Sequence, residues 1–419
     1  MPWRLARRHG TRELVIPKVL LALCRLSGNH PEQNYQRTTT TVDVRTILIL
    51  GGYGNFGKRI ASHLSQSAGL TLLIGGRDAS KAASYAAVLQ DKAAPDTRIE
   101  PCKIDYTAEG FPQRLRLLAP QLVIHTSGPF QGQDYRVPEA CIACGAHYID
   151  LADDRRFVCD IDTLNTKALE AKVLVVSGAS SVPGLSSVVV DHFLPQFQRL
   201  DTIDFAIAPG NQAERGEATL RGILSYTGHA FPVWQQGRMT ETFGWMAPRY
   251  RDFGGALGKR WLADIDIPDL ELFPKRYPTA QTVRFQAGLE LPLLHFGMVG
   301  MAWLARLKLI PDWSVFTRPI WRASEWFKRF GSGDGGMQIS LMGIGHDNAP
   351  LTIHWTLTAL NGAGPYIPTM SALILADKLV RDTTSLRGAL PCLGLFDLTD
   401  FDRIAAPDGI THATQVIHG

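Results

Sequence analysis

The sequence predicts an α/β protein in which a doubly wound parallel sheet is followed by a second, α+β domain. Three observations support this class. A chain of 419 residues is long enough for two or three domains. Short apolar runs alternate with helical segments as far as residue 177, which is typical of a parallel sheet. Beyond Gly184 this alternation stops, and strand-like runs appear at 202–208, 282–291, 338–344 and 351–360.

Composition excludes several other classes of protein. Hydrophobic residues make up 45% of the chain and charged residues 20%, which excludes disorder throughout, collagen and a small disulfide scaffold. The net charge of +4 arises within residues 1–45, so the body of the chain is nearly neutral and we expect no nucleic-acid partner. Six scattered cysteines indicate a reducing compartment, and we expect a cytoplasmic location.

The first predicted strand, residues 46–50 (TILIL), is apolar throughout, as expected of a central parallel strand. It runs directly into a G-x-G-x-x-G turn, and a helical segment follows. This order is the fingerprint of a Rossmann dinucleotide-binding domain, whose glycines permit the turn, the approach of a pyrophosphate, and close packing of helix on strand. The phosphates then lie at the helix N-terminus, where free N–H groups attract an anion. The residues predicted to bind them are Gly52, Tyr53, Gly54, Asn55, Phe56 and Gly57.

The second predicted strand, residues 70–74, ends at the position that reads the adenosine ribose. An NAD site usually has an acidic residue there, whereas this chain has Gly75, Gly76 and Arg77. Two glycines leave room, and a guanidinium is suited to a 2′-phosphate, so we expect NADP(H). Asp78 is interpreted as the N-cap of a helix over 79–90, and the further predicted phosphate contacts are Ser80 and Lys81.

The next four predicted strands cover residues 99–104, 121–126, 147–151 and 172–177, with helices over 137–145 and 160–171. Ligands of such sheets bind beyond the carboxyl ends of the strands. We therefore expect Asp105 near the adenine. The loop predicted to border the nicotinamide consists of Ser127, Gly128, Pro129 and Phe130.

The predicted chemistry is hydride transfer between NADP(H) and a C=N, C=O or enoyl C=C bond. A proton donor is expected from the carboxyl ends of the fourth to sixth strands. The main candidates are His125, Tyr148, Asp150 and Asp153, and the secondary ones are Ser127, Ser180 and His192. The alternative is that His125 is a core histidine and that the aspartates order loops. No metal is expected, because the C-x-x-C at Cys141 and Cys144 lies in a predicted helix and lacks a second ligand pair.

Several motifs in order resemble the saccharopine dehydrogenase-like oxidoreductases: GGYGNFG, GGR, VIHTSGPFQGQ, ACIACGAHYIDLADD and GASSVPGLSS. The resemblance covers nearly everything after residue 45. It implies an NADP-binding Rossmann domain (45–185), an α+β substrate and dimerisation domain (186–361), and a C-terminal segment (362–419) whose helices pack back on the Rossmann domain. A homodimer is a further expectation.

Two departures from the family bear on the substrate. Saccharopine reductases carry Leu-Asp-Pro-Gly where this chain has Ser181-Val182-Pro183-Gly184, and Pro-Tyr where it has Pro129-Phe130. A substrate with an amino group and several carboxylates would need more polar partners than these. The pattern is more similar to the lipid-acting trans enoyl reductases of the family, so we do not expect saccharopine as the substrate.

Other hypotheses concern the apolar segments and the N-terminus. Residues 1–44 are expected to form a basic, disordered extension. Residues 289–310 are expected to form a buried helix of the second domain; the alternative is an apolar surface, and peripheral membrane contact through 289–327 is kept as a hypothesis. A non-catalytic NADP(H) sensor is the alternative to an enzyme.

Overall fold

The fold is taken from a computed structural model that describes residues 45–419, and the predicted extension 1–44 lies outside the described residues. In chain order the strands are β1 (Thr46–Leu50), β2 (Thr71–Gly76), β3 (Arg98–Lys103), β4 (Leu122–His125), β5 (His147–Asp150), β6 (Leu174–Ser177), β7 (Phe197–Ala208), β8 (Ala230–Gln235), β9 (Arg238–Phe243), β10 (Arg249–Asp252), β11 (Lys259–Asp264), β12 (Thr282–Ala287), β13 (Gly335–Gly345), β14 (Pro350–Ala359), β15 (Gly388–Pro391) and β16 (Thr411–His418).

The helices alternate with the strands in the first part of the chain and cluster later. In chain order they are α1 (Asn55–Leu64), α2 (Ala79–Gln90), α3 (Phe111–Leu118), α4 (Arg136–Ala143), α5 (Arg155–Cys159), α6 (Asn165–Glu170), α7 (Ser186–Phe193), α8 (Glu217–Ser225), α9 (Asp269–Arg276), α10 (Pro292–Arg306), α11 (Thr317–Trp326), α12 (Ile367–Val380) and α13 (Leu398–Ala405).

The first sheet is parallel and has the strand order β15-β6-β5-β4-β1-β2-β3. Ile47, Leu48 and Ile49 of its central strand are fully buried, because helices cover both faces of the sheet. The predicted Rossmann class is confirmed, and each of the six predicted strands lies within two residues of its observed bounds. The carboxyl ends of these strands form one edge of the sheet, where the candidate site lies.

The second sheet is mixed and has the strand order β10-β11-β12-β7-β13-β14-β16. Strand β12 is parallel to β7, and the other neighbouring pairs are antiparallel. On β14 buried residues alternate with partly exposed ones, which is the period of a strand with one face on a core. The predicted second α+β domain is confirmed by this sheet and the helices packed beside it.

The C-terminal segment does not return to the Rossmann domain as a whole. Helix α12 is almost entirely buried and leads to β15, which extends the first sheet beside β6. Strand β16 then pairs antiparallel with β14 over residues 411–418, so it belongs to the second sheet. The unpaired N–H and C=O groups of β14 would otherwise form a sheet edge, and β16 satisfies them.

The expectation of a buried helix over 289–310 is only partly correct, because helix α10 is buried along one face and exposed on another. His295, Met298, Ala302 and Ala305 are buried along one stripe of the helix. Trp303, on another face, is half exposed (50%). The apolar residues of this helix therefore belong to two faces, one that is buried and one that is exposed to solvent.

A buried polar contact links helices α7 and α9, which both follow the first six strands. The carboxylate of Asp269, at the start of α9, is fully buried and accepts a hydrogen bond from the Ser186 hydroxyl at the start of α7. The second carboxylate oxygen of Asp269 has no hydrogen-bond partner among the described residues. Desolvation raises the pKa of Asp269 to about 7.

Replacement of this buried carboxyl should change how stability depends on pH. Because the pKa of Asp269 is higher in the folded chain than in the unfolded chain, the protonated group stabilises the fold at low pH. That stability is lost as the pH rises from about 4 to about 7. In Asp269→Asn this loss should be smaller by about 2–4 kcal/mol, measured as the free energy of unfolding across that range.

The control for that measurement is Asp162→Asn, since Asp162 is exposed. This variant should follow the wild-type pH profile. A profile of Asp269→Asn parallel to that of the wild type would contradict the assignment of a raised pKa to this carboxyl.

Candidate functional site

The turn between β1 and α1 is built from bare backbone. Gly51 has a φ of +80°, and the N–H groups of Gly51 and Gly52 donate to the carbonyl of Gly75 at 2.9 and 3.0 Å. A Cβ on Gly57 would lie 2.1 Å from the carbonyl oxygen of Gly51, so α1 packs against this turn at a distance that only glycine allows. Gly57 thus has the packing role that the fingerprint predicts, whereas the left-handed backbone of the turn lies at Gly51, one residue before the first fingerprint glycine.

Helix α1 begins without a side-chain cap among the described residues. The side chain of Asn55, its first residue, is directed to other partners. Its amide donates to the carbonyl of Glu214 at 3.3 Å, and its oxygen accepts from Arg59. The first N–H groups of α1 thus donate to no capping side chain, and together with the helix dipole they suit a pyrophosphate.

The ribose end of the site differs from the expectation that two glycines leave room there. A Cβ on Gly75 would meet Leu48 at 2.9 Å, and one on Gly76 would meet the ring of Tyr53 at 2.4 Å. The phenol of Tyr53 accepts a hydrogen bond from the N–H of Asp78 at 3.0 Å, so this ring lies across the end of β2. The glycines are required by packing, and the Tyr53 ring forms the floor beside the ribose position.

The charged residues of this end are placed as predicted from the sequence. Arg77 is exposed directly after β2. Asp78 caps α2 by accepting from the N–H of Lys81 at 3.1 Å. Ser80 and Lys81 line a shallow groove beside Tyr53.

The loops after β3 and β4 form the next part of the edge. The carboxylate of Asp105 accepts from the N–H and hydroxyl of Thr107 at 3.0 and 2.8 Å, and these bonds lower the pKa of Asp105. The carbonyls of Ser127 and Pro129 accept from the Gln133 amide at 3.0 and 2.7 Å, and the loop from Ser127 through Gly128 to Pro129 stays partly exposed.

Phe130 was expected to contact the cofactor, but it is buried. Its ring lies 5.3 Å from that of Phe157 and 5.1 Å from that of His125, measured between centroids. Ala152, Val158 and Cys159 are in the same apolar cluster. Phe130 therefore supports the loop from below, since the aromatic ring gains more from packing than from exposure.

Three of the four main catalytic candidates are fully buried, and two of them, His125 and Tyr148, lie next to each other in the core. His125 and Tyr148 are both fully buried, and the Nδ1 of His125 lies 3.1 Å from the hydroxyl of Tyr148. Desolvation lowers the pKa of His125 to about 3, so its imidazole is neutral at physiological pH. The structure favours the alternative that His125 is a core histidine.

Asp150 and Asp153 occupy different environments. Asp150 is fully buried, with a pKa raised by desolvation to about 6, and it accepts from the N–H groups of Ala152 and Gly178 at 2.9 and 2.8 Å. It therefore orders the turns after β5 and β6. Asp153 is exposed and accepts from the Gln131 amide at 3.2 Å, and desolvation by the surrounding protein raises its pKa.

The secondary candidates are not brought together. The carbonyl of Ser180 accepts from the Ser371 hydroxyl at 2.7 Å, which ties the turn after β6 to α12. His192 is exposed on α7, and its ring contacts that of Phe193 at a centroid distance of 4.7 Å. No group of three His, Cys, Asp or Glu side chains within residues 45–419 could hold a metal ion.

A large apolar cavity lies in the cleft between the domains, which is where the two-domain organisation predicts the reaction site. Its volume is about 440 Å³. The first domain contributes Asn55 and Phe56 at the start of α1 and Ser181 after β6, and the start of α12 closes one end. The remaining walls come from the second domain, chiefly Leu220 and Ile223 of α8, Leu294, Gly297, Met298 and Met301 of α10, Ile320 and Trp321 of α11, and Phe327 directly after α11.

The charged groups in the cavity wall already have partners. Glu214 forms ion pairs with Lys58 and Arg59 at 2.8 and 3.1 Å. Arg215 donates to the backbone carbonyl and the side-chain oxygen of Asn211 at 2.6 and 2.7 Å. The indole N–H groups of Trp245 and Trp321 are buried without a hydrogen-bond partner among the described residues. The Nε of Arg215 is likewise buried without a partner among the described residues, so the cavity offers mostly apolar contact with a few hydrogen-bond donors.

Comparison with known proteins was made for sequence families, curated proteins and solved structures. Residues 47–176 match the saccharopine dehydrogenase NADP-binding domain, and no curated protein matches the chain. The structure of saccharopine dehydrogenase (L-Glu forming) from Saccharomyces cerevisiae matches with a TM-score of 0.61 at 13% identity, covering 89% of this chain and 100% of that one. Amine dehydrogenase from Mycobacterium smegmatis matches with a TM-score of 0.42 at 10% identity, covering 84% and 95%.

The family match covers the strands and turns of the candidate dinucleotide site, and the structural match extends through the second domain. Residues 47–176 are thus similar to the saccharopine dehydrogenase NADP-binding domain, and the chain shares its fold with the yeast saccharopine dehydrogenase.

Proposed function

We propose that this protein is an NADP(H)-dependent oxidoreductase that transfers hydride to or from a C=N, C=O or enoyl C=C bond of a substrate with an extended apolar part. The observation that carries the proposal is the apolar cavity between the domains. It meets the first domain at the start of α1 and at the turn after β6, which are both at the carboxyl edge of the parallel sheet.

The cofactor position follows from the residues of that edge. The turn at Gly52–Gly57 and the start of α1 would hold the pyrophosphate, and Arg77 would pair with the 2′-phosphate. The loop 127–129 would border the nicotinamide, which supplies or accepts the hydride when the cofactor is bound. Asp153 is our candidate for the proton donor, because it is exposed at this edge with a raised pKa.

The lining of the cavity supports an apolar substrate rather than saccharopine. Each methylene group buried there contributes about 0.8 kcal/mol, so a chain of several carbons would bind well. A substrate with several carboxylates would need cationic partners, and burial of an unpaired charge costs several kcal/mol. Among the wall residues that the structure describes, Arg215 is the one cation, which is too few for a substrate with several carboxylates.

The choice of NADP(H) over NAD(H) can be tested at Arg77. Arg77→Ala should weaken NADPH binding by about 1.5–3 kcal/mol, the contribution of a hydrogen bond to a charged group, and should leave NADH binding nearly unchanged. Titration calorimetry with both cofactors measures this difference. Arg98→Ala, at the opposite end of the neighbouring strand β3, is the matched control for loss of one exposed positive charge. Equal losses for both cofactors in Arg77→Ala would contradict a phosphate contact.

The activity can be tested with homologous substrates of different chain length. Aldehydes, ketones, imines and 2-enoyl esters with short and long alkyl chains would be incubated with NADPH deuterated at nicotinamide C4, and the product analysed for deuterium by mass spectrometry. We expect transfer to one long-chain class and much slower transfer to its short homologue. Binding of NADPH without turnover of any of these compounds would instead favour a redox sensor. Oxidation of saccharopine by NADP⁺, without turnover of any of these compounds, would refute the apolar substrate.

A further inference from the structure

The segment that joins α10 to α11 exposes an unusual amount of apolar surface. We call residues 303–318 the α10–α11 connection. Six of its large apolar side chains are exposed by between 37% and 71%: Trp303, Leu304, Leu307, Leu309, Val315 and Phe316. Exposed apolar residues are common when they occur singly, whereas a concentration of this kind marks an interaction site.

Basic residues accompany these apolar side chains. Arg306 and Lys308 are exposed within the α10–α11 connection, and Arg322 is exposed one turn further along α11. The acidic residue of the segment, Asp312, accepts hydrogen bonds from the N–H and hydroxyl of Ser314 at 2.8 and 2.9 Å and so caps the next turn. The surface is therefore apolar with a positive border, which matches the interface of an anionic bilayer.

The α10–α11 connection is also continuous with the cavity wall. Met301 and Ile320, on either side of the connection, line the cavity. The indole N–H of Trp313 donates to the carbonyl of Met301 at 2.8 Å, which fixes the connection against the end of α10. The inner face of this helical hairpin thus encloses the cavity, and its outer end presents the exposed apolar side chains.

We infer that the α10–α11 connection docks on the surface of an anionic lipid bilayer and inserts its apolar side chains among the lipid headgroups. No helix in the described part of the chain is long and apolar enough to cross a membrane. Helices that lie in the interface bury an apolar face and place Lys and Arg beside the headgroups. Docking would bring the cavity next to the lipid phase, and an apolar substrate would then enter the cavity from the bilayer. This entry route rests on the function proposed above.

Vesicle flotation with the full chain tests docking directly. We expect binding to phosphatidylcholine vesicles that contain phosphatidylserine, weaker binding to phosphatidylcholine alone, and weaker binding at high salt. The triple variant Leu307→Ser, Leu309→Ser and Val315→Ser should reduce the partition coefficient by at least about tenfold. These side chains are 63%, 68% and 71% exposed, so the fold should tolerate the change.

The matched control removes apolar surface elsewhere. Val88→Ser with Leu117→Ser changes side chains that are 54% and 80% exposed on the first domain, and it should leave flotation unchanged. The melting temperature and NADPH affinity of the triple variant should equal those of the wild type.

Three results would overturn docking on an anionic bilayer: undiminished flotation of the triple variant, equal binding to neutral vesicles, or a dimer of the wild type that becomes monomeric in the triple variant. The last result would assign the surface to a second copy of the chain. Turnover of a detergent-dispersed substrate separates this inference from the proposed function. If docking alone is wrong, the wild type and triple variant turn over the dispersed substrate equally; if the proposed function is wrong, neither does.

Discussion

Gly54→Val should raise the Kd for NADPH by at least about a hundredfold, equivalent to about 2.7 kcal/mol, while the protein remains folded. Gly54 has φ −76° and ψ 178°, an extended conformation that valine adopts readily. Its added Cβ would lie 3.0 Å from the carbonyl oxygen of Gly51, which a small adjustment accommodates. The valine methyl groups would, however, occupy the approach to the uncapped start of α1, where the pyrophosphate is expected.

Fluorescence titration with NADPH measures this effect, and Gly110→Val is its control. Gly110 precedes α3, and a Cβ there would contact nothing within 4 Å. This variant should bind NADPH like the wild type. Gly57→Ala should behave differently from both, because a Cβ 2.1 Å from the Gly51 oxygen would force the turn open and lower the melting temperature. Retention of NADPH affinity by Gly54→Val would refute the position assigned to the pyrophosphate.

Gly297→Phe should lower kcat/KM for a long-chain substrate by about a hundredfold without changing the Kd for NADPH. Gly297 lies on α10 in the wall of the cavity, and a Cβ there would contact nothing within 4 Å. The phenyl ring therefore has space to enter the cavity without disturbing the helix. It would fill volume that the apolar part of the substrate needs.

Gly300→Phe is the matched control for this substitution. Gly300 lies on the same helix, also has no neighbour within 4 Å of an added Cβ, and is exposed outside the cavity wall. Both variants gain the same helix propensity and the same apolar surface, so they differ only in where the ring lies. Comparable kinetics in the two variants would contradict substrate binding in the cavity.

The strand, glycine turn and helix over residues 46–64 could be predicted from the sequence because their requirements are local. The turn at Gly52–Gly57 needs residues without side chains at fixed spacing, and the short-range contacts of Gly57 with Gly51 show why. Asp78 as a helix cap is equally local. The prediction that Gly76 leaves room at the ribose position was wrong, because the ring of Tyr53 occupies that space. A sequence motif does not show which side chain of another loop packs against its residues.

The cavity and the core polar groups depend on long-range contacts. Helices α8, α10, α11 and α12 are far apart in the sequence and line one cavity only in the folded chain. An apolar run such as α10 has the same sequence pattern whether it faces a core, a cavity or solvent. His125 and Asp150 follow strands as catalytic residues often do, but their burial is decided by Phe130, Tyr148 and the turn after β6. No local signal in the sequence distinguishes these two roles.

The path of the chain between the sheets constrains how the molecule can move. The backbone passes from the first sheet to the second after β6, returns through α12 to β15, and passes over again to β16. A hinge between the domains would have to bend at all three crossings together, which makes wide opening of the interdomain cleft costly. Substrate traffic is then expected to depend on local displacement of α8, α10 and α11, and removal of the last strand should loosen both halves of the protein at once.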